Sequence, residues 1–247
     1  RDYKVTGVQT CALPIYQYYD KDRVVMGKRM EDHLRPSVCY WHTFCWDGFD
    51  VFGAGTFNRP WHALEGQDMA EAKLQIAFDF FERLGWPYFA FHDVDVMAPA
   101  ETMVGHTENF ARILDPIEAQ MERTGLKLLW GTANVFSHPR YMAGAATNPD
   151  PEVFACAATQ IRQALEATHR LGGANYVLWG GREGYDTLLN TDTGREVDQL
   201  GRMLSLAAEH KHKIGFKGPL RIEPKRNEPT NHQYDRDTQT DFGFHHT

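Results

Sequence analysis

LKLLW at residues 126–130 and NYVLW at residues 175–179 are two short apolar runs, and the segment between them contains a helical pattern. The helix is predicted over Glu152–Leu171, and Gly172-Gly173 ends it before the second run begins. A strand, a helix and a second strand without a hairpin between them are typical of a βαβ unit. This part of the sequence therefore predicts a parallel sheet covered by helices.

The same unit recurs on both sides of this stretch. The other strands are predicted at Cys39–Phe44, Tyr88–Phe91 and Leu220–Ile222, and the other helices at Asp68–Leu84, Thr107–Arg123 and Glu196–Lys213. The first of these helices is predicted to be amphipathic, from the apolar residues Ala72, Ile76, Phe80 and Leu84 at a spacing of four. A closed barrel needs eight strand–helix units, whereas an open doubly wound sheet can be built from five. The element count alone therefore leaves both folds open.

A polar cluster follows each of the five predicted strands. In chain order the clusters are Trp41-His42-Thr43, His92-Asp93-Val94-Asp95, Thr132-Ala133-Asn134, WGGREG at residues 179–184, and Glu223-Pro224-Lys225. In a (β/α) barrel the carboxyl ends of all strands share one face, and active sites are built there from several strands. The clusters therefore favour an α/β fold of the (β/α)8 TIM-barrel type, truncated here after about five units.

The composition indicates a folded protein with an acidic balance. The 247 residues include 26 Lys and Arg against 33 Asp and Glu, a formal net charge of −7. This balance argues against nucleic acid or an anionic membrane as a partner, because both call for a basic face. The four cysteines lack CxxC or CxxH spacing, which favours reduced thiols over disulfides or zinc ligands. With no run of about 20 apolar residues and no signal-peptide pattern, the expected location is cytoplasmic.

The first 17 residues fit poorly with the rest of the chain. VTGVQTCALPI at residues 5–15 has neither a helical nor a strand period, and it resembles translated sequencing-adapter sequence. We therefore expect residues 1–17 to be non-native, and we assign residues 18–247 to part of a barrel domain.

His92 and Asp95 are the first candidate catalytic pair. A histidine at a strand end can form a hydrogen bond with an aspartate three residues later through a turn, which fixes one imidazole tautomer. Such a histidine is suited to move a proton on a sugar hydroxyl or ring oxygen. A histidine satisfied by local turn hydrogen bonds is the alternative, and the spacing fits both interpretations.

Glu223 and Lys225 form the second candidate pair. Residues i and i+2 of an extended chain share a side, so both charged groups are predicted to face the barrel mouth. A carboxylate there is a hard oxygen ligand for Mg²⁺ or Mn²⁺, and the ammonium group can hold a developing alkoxide or carbonyl oxygen. The alternative is a structural ion pair, since a single carboxylate does not make a metal site.

Aromatic residues at or just after strand ends are candidates for the walls of a sugar pocket. They are Trp41, Phe52, Phe136 and Trp179. Such walls pack against the C–H faces of a sugar and exclude water from a reactive intermediate. Core packing is the alternative for each of them. The glycine-rich turn at residues 180–184 lacks the lysine and hydroxyl residue of a nucleotide-binding loop, so a phosphate site is rejected.

Eight motifs, in order along the chain, resemble the class II xylose isomerases, the longer-chain type. They are GKRME (27–31), CYWHTF (39–44), FNRPW (57–61), FHDVD (91–95), WGTAN (130–134), AATNPDP (145–151), WGGREGY (179–185) and IEPK (222–225). The resemblance runs almost continuously from about Val25 to about Gly243.

The resemblance implies a (β/α)8 barrel that interconverts D-xylose and D-xylulose, and usually also D-glucose and D-fructose. It implies two divalent cations, Mg²⁺ or alternatively Mn²⁺ or Co²⁺, which polarise both sugar oxygens during a hydride shift between C2 and C1. By position, His92 oriented by Asp95 assists ring opening, and Lys225 contacts O1 of the substrate. Glu223 matches the first carboxylate ligand of the structural metal.

The resemblance also implies how the pocket and the subunits are arranged. Trp41, Phe136 and Trp179 match the hydrophobic walls, and Thr132 is assigned to the same substrate pocket. Phe52 matches a phenylalanine that reaches into the site of a neighbouring subunit, and the implied assembly is a homotetramer.

The departures from the family pattern concern the metal ligands. Glu223 is the one family ligand that the chain contains, and the second glutamate, a histidine and several aspartates of the later strands are missing. We therefore expect an N-terminal fragment that neither closes the barrel nor binds two metals. Two alternatives remain: an endonuclease-type barrel with another metal set, disfavoured by the net charge, and a catalytically incomplete barrel that only binds sugar or partner subunits.

Overall fold

The computed structural model describes residues 19–185, 187–225 and 234. The prediction that residues 1–17 are non-native lies outside these residues. The chain divides into two units, Arg1–Pro36 and Ser37–Thr247. In the described part of the first unit, strands β1 (Val24–Val25) and β2 (Lys28–Arg29) form an antiparallel hairpin, followed by the short helix α1 (Met30–His33). Met26 and Gly27 both have positive φ in the hairpin turn, as the type I′ turn of a two-residue hairpin loop requires.

The second unit is a parallel sheet in which helices alternate with strands. Its strands are β3 (Ser37–Cys39), β4 (Tyr88–His92), β5 (Lys127–Thr132), β6 (Asn175–Leu178) and β7 (Leu220–Ile222). Its helices are α2 (Tyr40–Phe44), α3 (Gly66–Leu84), α4 (Asp93–Val96), α5 (Met103–Thr124), α6 (Pro151–Arg170) and α7 (Thr193–Ile214). Short 3₁₀ turns lie at Pro60–Ala63, Pro139–Tyr141 and Leu188–Asn190.

The order of the strands distinguishes between the two folds that the sequence left open. The sheet order is β3-β4-β5-β6-β7, and each neighbouring pair is parallel. A doubly wound sheet reverses its strand order at a switch point, whereas a barrel adds each new strand on the same side. The described chain is therefore an α/β partial barrel of five strands, which confirms the predicted fold class.

The long helices end where the sequence predicts. Gly85, Gly125 and Gly215 follow α3, α5 and α7 with φ of 70°, 73° and 77°, the left-handed conformation that glycine adopts without strain. Side-chain oxygens of Thr102 and Asp150 cap the amino ends of α5 and α6. Among the described helices, none combines the length and apolar content that crossing a membrane requires.

The prediction of one strand over Cys39–Phe44 was wrong. Strand β3 ends at Cys39, and the aromatic residues that follow form the helix α2. Tyr40 and Phe44 lie one helical turn apart, are both buried, and have ring centroids 5.4 Å apart. A short apolar run fits a strand or a buried helical turn equally well, and here packing against Phe81 of α3 favours the helix.

The predicted apolar side of α3 was wrong for two of its four residues, although the helix itself is confirmed and Ala72 and Ile76 pack against the core. Phe80 and Leu84 are 40% and 44% exposed. The buried side is instead formed by Ala70, Leu74, Ala77, Phe78 and Phe81. A strict spacing of four drifts around a helix of 3.6 residues per turn, whereas mixed spacings of three and four stay on one side. The buried side packs on the sheet, with Phe78 and Phe89 centroids 4.9 Å apart.

Candidate functional site

The best-defined polar pair of the site lies where β4 ends. The chain turns directly from His92 into α4, and Asp95 Oδ2 accepts hydrogen bonds from His92 N (2.7 Å) and His92 Nδ1 (2.9 Å). The side chains of His92 and Asp95 are 12% and 6% exposed. Because the ionised carboxylate only accepts, Nδ1 carries the proton and Nε2 is the ring nitrogen that this pair does not use. The hydrogen bond predicted from the spacing is confirmed.

The thiol of Cys45, the residue after α2, contacts the short helix α4 at Asp95. Cys45 Sγ donates to Asp95 O at 3.4 Å, and Lys73 Nζ lies 3.7 Å from the same sulfur. Cys45 as a residue is exposed, but its sulfur faces the Asp95 carbonyl and Lys73. Desolvation of this thiol, and secondly the nearby Asp95 carboxylate, raises the pKa of Cys45 to about 12, although Lys73 opposes the rise. A thiol with this pKa stays protonated at neutral pH and remains a donor. The sequence reasoning missed this contact, because 50 residues separate the two partners.

We expect Cys45 to react slowly with iodoacetamide, and its rate to keep rising with pH beyond the ordinary thiol range. The thiolate is the nucleophile, so a pKa raised to about 12 leaves little of it below that pH. The rate is measured by mass spectrometry of Cys45 peptides between pH 7 and 10. Protein unfolded in urea is the control and should level off above an ordinary thiol pKa. A native rate that levels off at the same pH as the control would contradict the assignment.

An aromatic row connects four neighbouring strand ends, those of β3, β4, β5 and β6. Ring centroids of Trp41 and His92 lie 4.5 Å apart, those of His92 and Phe136 lie 5.4 Å apart, and those of Phe136 and Trp179 lie 4.4 Å apart. Trp41, Phe136 and Trp179 are all partly buried, as wall residues are, rather than fully enclosed in the core. Three of the four predicted wall residues thus lie in one row, in which Trp41 and Phe136 contact His92 and Trp179 contacts Phe136.

Trp130 belongs to the same row and was not singled out from the sequence. Its centroid lies 5.4 Å from that of Trp41 and 6.0 Å from that of His92. The sequence placed Trp130 at the end of a strand, whereas β5 continues to Thr132. Its position within an apolar run gave no sign that its ring belongs to the pocket.

Lys225 and Glu223 lie at the other end of the row. Lys225 Nζ is 4.2 Å from the centroid of Trp179 and 3.4 Å from Glu223 Oε1. The expectation that both head groups lie on one side of the chain is therefore confirmed. Glu223 N donates to Leu178 O at 2.9 Å, which continues the sheet past β7 and fixes the backbone of this segment.

Thr132 and Phe52, the two other predicted pocket residues, do not contact the rings of the aromatic row through any interaction described for them. Thr132 is buried, and its hydroxyl donates to Val177 O, so it links β5 to β6. Phe52 is 94% exposed, in a loop whose Phe49 and Val51 are 63% and 91% exposed. Within the described part of the chain, no ring contact joins Phe52 to the aromatic row. The roles assigned to Thr132 and Phe52 stay predictions.

The glycine-rich turn after β6 is held by a buried carboxylate. Glu183 is 5% exposed. It accepts hydrogen bonds from the backbone N–H groups of Ala145, Ala146 and Thr147 at 2.7–3.2 Å and from the Thr147 hydroxyl at 2.6 Å. Arg182 of the same turn donates through Nε to Phe136 O at 3.2 Å. The turn therefore fixes the loop that carries Phe136 and sets its ring against Trp179.

The described residues do not form a divalent-cation site by themselves. Across residues 19–185 and 187–225, no three His, Cys, Asp or Glu side chains are grouped as metal ligands. Glu223 offers one carboxylate, and Lys225 already pairs with it. Mg²⁺ and Mn²⁺ require several oxygen ligands, so Glu223 is at most one member of a larger set.

The sequence of this chain is strongly similar to those of several curated proteins. The chain is 65% identical over 230 residues to a xylose isomerase of Solibacter usitatus, which covers 93% of the chain and 52% of that protein. It is 62% identical over 239 residues to a xylose isomerase of Paraburkholderia phymatum, which covers 96% and 54% respectively. The chain thus spans about half the length of the curated relatives it matches. No family model matches it.

Solved structures support the fold. A D-psicose 3-epimerase from Clostridium cellulolyticum, solved with D-tagatose, aligns with 84% of the chain and 57% of its own length, at a TM-score of 0.51 and 10% sequence identity. At this identity the likeness concerns the fold alone, and it agrees with a partial barrel. The endonuclease-type alternative is set aside by the sequence identity to the curated relatives. Over 93–96% of its length, the chain is therefore similar to xylose isomerases.

Proposed function

We propose that this chain carries the sugar-binding wall and the proton-transferring histidine of a metal-dependent aldose–ketose isomerase. The substrates proposed are D-xylose and D-xylulose, with D-glucose and D-fructose as further substrates. The observation that carries the proposal is the His92–Asp95 pair, set among partly buried aromatic rings. The ring centroid of His92 lies 4.5 Å from that of Trp41 and 5.4 Å from that of Phe136. The similarity to xylose isomerases over nearly the whole chain supports the substrate class.

His92 transfers the proton of ring opening in this proposal. Asp95 holds Nδ1, so the ring presents Nε2 to a sugar hydroxyl or ring oxygen. The neighbouring aromatic rings exclude water and pack against the C–H faces of the sugar. Lys225, held between Trp179 and Glu223, donates to the substrate oxygen on which negative charge develops.

Two divalent cations complete the proposed site, with Glu223 as one ligand. When bound, the cations act as Lewis acids toward the sugar oxygens during the hydride shift. The other ligands then lie outside the described residues, because those residues offer no further grouped set. Mg²⁺ is the first candidate, with Mn²⁺ and Co²⁺ as alternatives, since all three accept oxygen ligands.

A homotetramer is the proposed assembly. The loop with Phe49, Val51 and Phe52 exposes large apolar side chains, with Phe52 94% exposed. Exposed apolar groups of this kind mark interaction surfaces. In the proposal this loop reaches into the site of a neighbouring subunit.

The test is ketose formation from D-xylose, with Mg²⁺ or Mn²⁺ and with EDTA. It is run on the 247-residue chain and on the complete polypeptide encoded by its gene. We expect metal-dependent ketose formation by the complete polypeptide, abolished by EDTA. Activity of the 247-residue chain alone would contradict the ligand argument above, and inactivity of both would favour a barrel that only binds sugar or partner subunits.

A further inference from the structure

A second carboxylate lies in the turn that follows His92. Asp93 is the next residue of the chain and is fully buried, with 0% exposure. Its Oδ1 accepts hydrogen bonds from Asn134 N (2.8 Å) and from Val94 N (2.9 Å). One oxygen of Asp93 therefore ties the turn after β4 to the loop after β5. A buried carboxylate is stable only when such donors replace its lost hydration.

The other oxygen of Asp93 joins two helices. Its Oδ2 accepts from His106 Nε2 of α5 at 3.0 Å and from Gln160 Nε2 of α6 at 2.9 Å. The Tyr141 hydroxyl donates to Gln160 Oε1, which orients the amide so that its N–H group faces Asp93. Burial raises the pKa of Tyr141, so the hydroxyl keeps the proton that it donates. Three of the four donors to Asp93 thus come from other elements, namely α5, α6 and the loop after β5, and the fourth is Val94 N of its own turn.

We infer that Asp93 is a positioning residue for His92, an inference that rests on the proposed function. Asp93 begins the turn α4, and Asp95 of the same turn binds His92 N and Nδ1. The side chain of Asp93 fixes the turn against α5, α6 and the loop after β5, and Asp95 transmits that position to the imidazole. Misplacing a catalytic group by about 1 Å costs about 100-fold in rate.

A purely structural role is the competing explanation, because Val96 also anchors the turn by full burial. The two explanations differ in what a subtle change does to His92. Asp93→Asn keeps the shape but turns an acceptor into an N–H group that faces donors. His106→Leu removes one donor, whereas His106→Gln keeps an N–H group near the same place. Ile113→Val, at a buried position of α5 seven residues after His106, is the matched stability control.

In the complete polypeptide, we expect Asp93→Asn and His106→Leu to lower kcat about 10- to 100-fold, with KM changed less than about twofold. His106→Gln should recover most of kcat, and Ile113→Val should keep it. The second readout is the Nδ1–H resonance of His92 in protein labelled with ¹⁵N-histidine, assigned by its loss in His92→Asn. We expect it to broaden or exchange faster in Asp93→Asn and to stay unchanged in Ile113→Val.

The two readouts separate the possible failures. A destabilised Asp93→Asn with unchanged kcat and an unchanged His92 resonance would overturn the inference and leave a structural role. If the wild-type protein forms no ketose but Asp93→Asn still disturbs the His92 resonance, the proposed function fails and the positioning role stands. If the resonance and kcat respond equally to Ile113→Val, the effect is general destabilisation and the inference is wrong.

Discussion

His92→Asn lowers kcat for ketose formation by about 10²- to 10⁴-fold, the range that a general acid–base group contributes. Asparagine places an N–H group near the position of His92 Nδ1, so the hydrogen bond to Asp95, 2.9 Å in the native protein, can persist. What disappears is the second ring nitrogen, which is the group able to carry a proton to and from the sugar. KM should change far less than kcat, because the aromatic row that contacts the sugar stays in place.

The measurement is steady-state kinetics on the complete polypeptide with saturating Mg²⁺, beside His138→Asn as the matched control. His138 is exposed, and its ring accepts hydrogen bonds from Arg140 instead of donating one to a carboxylate. The control should keep wild-type kcat. A His92→Asn enzyme within about threefold of wild type would show that the histidine is not the proton-transfer group, since such a group accounts for at least about 100-fold.

The parts of the site that the sequence predicted are those with short-range causes. His92 and Asp95 lie three residues apart at a strand end, and Glu223 and Lys225 alternate along an extended chain. Their geometry follows from local backbone conformation, so spacing was enough to predict both contacts. The helix ends at Gly85 and Gly125 were predictable for the same reason, since glycine is the residue that adopts positive φ without strain.

The parts that sequence reasoning missed depend on partners that are distant along the chain. Asp93 receives a hydrogen bond from Gln160, 67 residues away, and Glu183 receives one from Thr147, 36 residues away. Nothing in the local pattern indicates that either carboxylate is buried, because acidic residues after a strand are usually solvated. Only the stacking of neighbouring βα units places their donors. A buried acid was thus indistinguishable from a surface acid in the sequence.

Glu183→Ala should destabilise the protein by about 3–5 kcal/mol, because each buried donor that loses its acceptor costs about 1–3 kcal/mol and the costs are not fully additive. Three backbone N–H groups and the Thr147 hydroxyl converge on this carboxylate, and the residue is 5% exposed. Alanine would leave all of these donors buried without an acceptor. Gly144 shows how closely the loop surrounds Glu183, since a Cβ there would lie 2.9 Å from Glu183 Oε2.

The change in unfolding free energy is measured by urea denaturation of the complete polypeptide, with Glu118→Ala as the surface counterpart. Glu118 also accepts two hydrogen bonds, both from Arg170, but its side chain is 38% exposed. Water can replace those bonds, so Glu118→Ala should lower the unfolding free energy by at most about 1 kcal/mol. Glu183→Gln should fall between the two, because it keeps one acceptor oxygen while its amide N–H faces a donor. If Glu183→Ala is no worse than Glu118→Ala, water reaches the Thr147 loop, and the turn after β6 is not what holds Phe136 against Trp179.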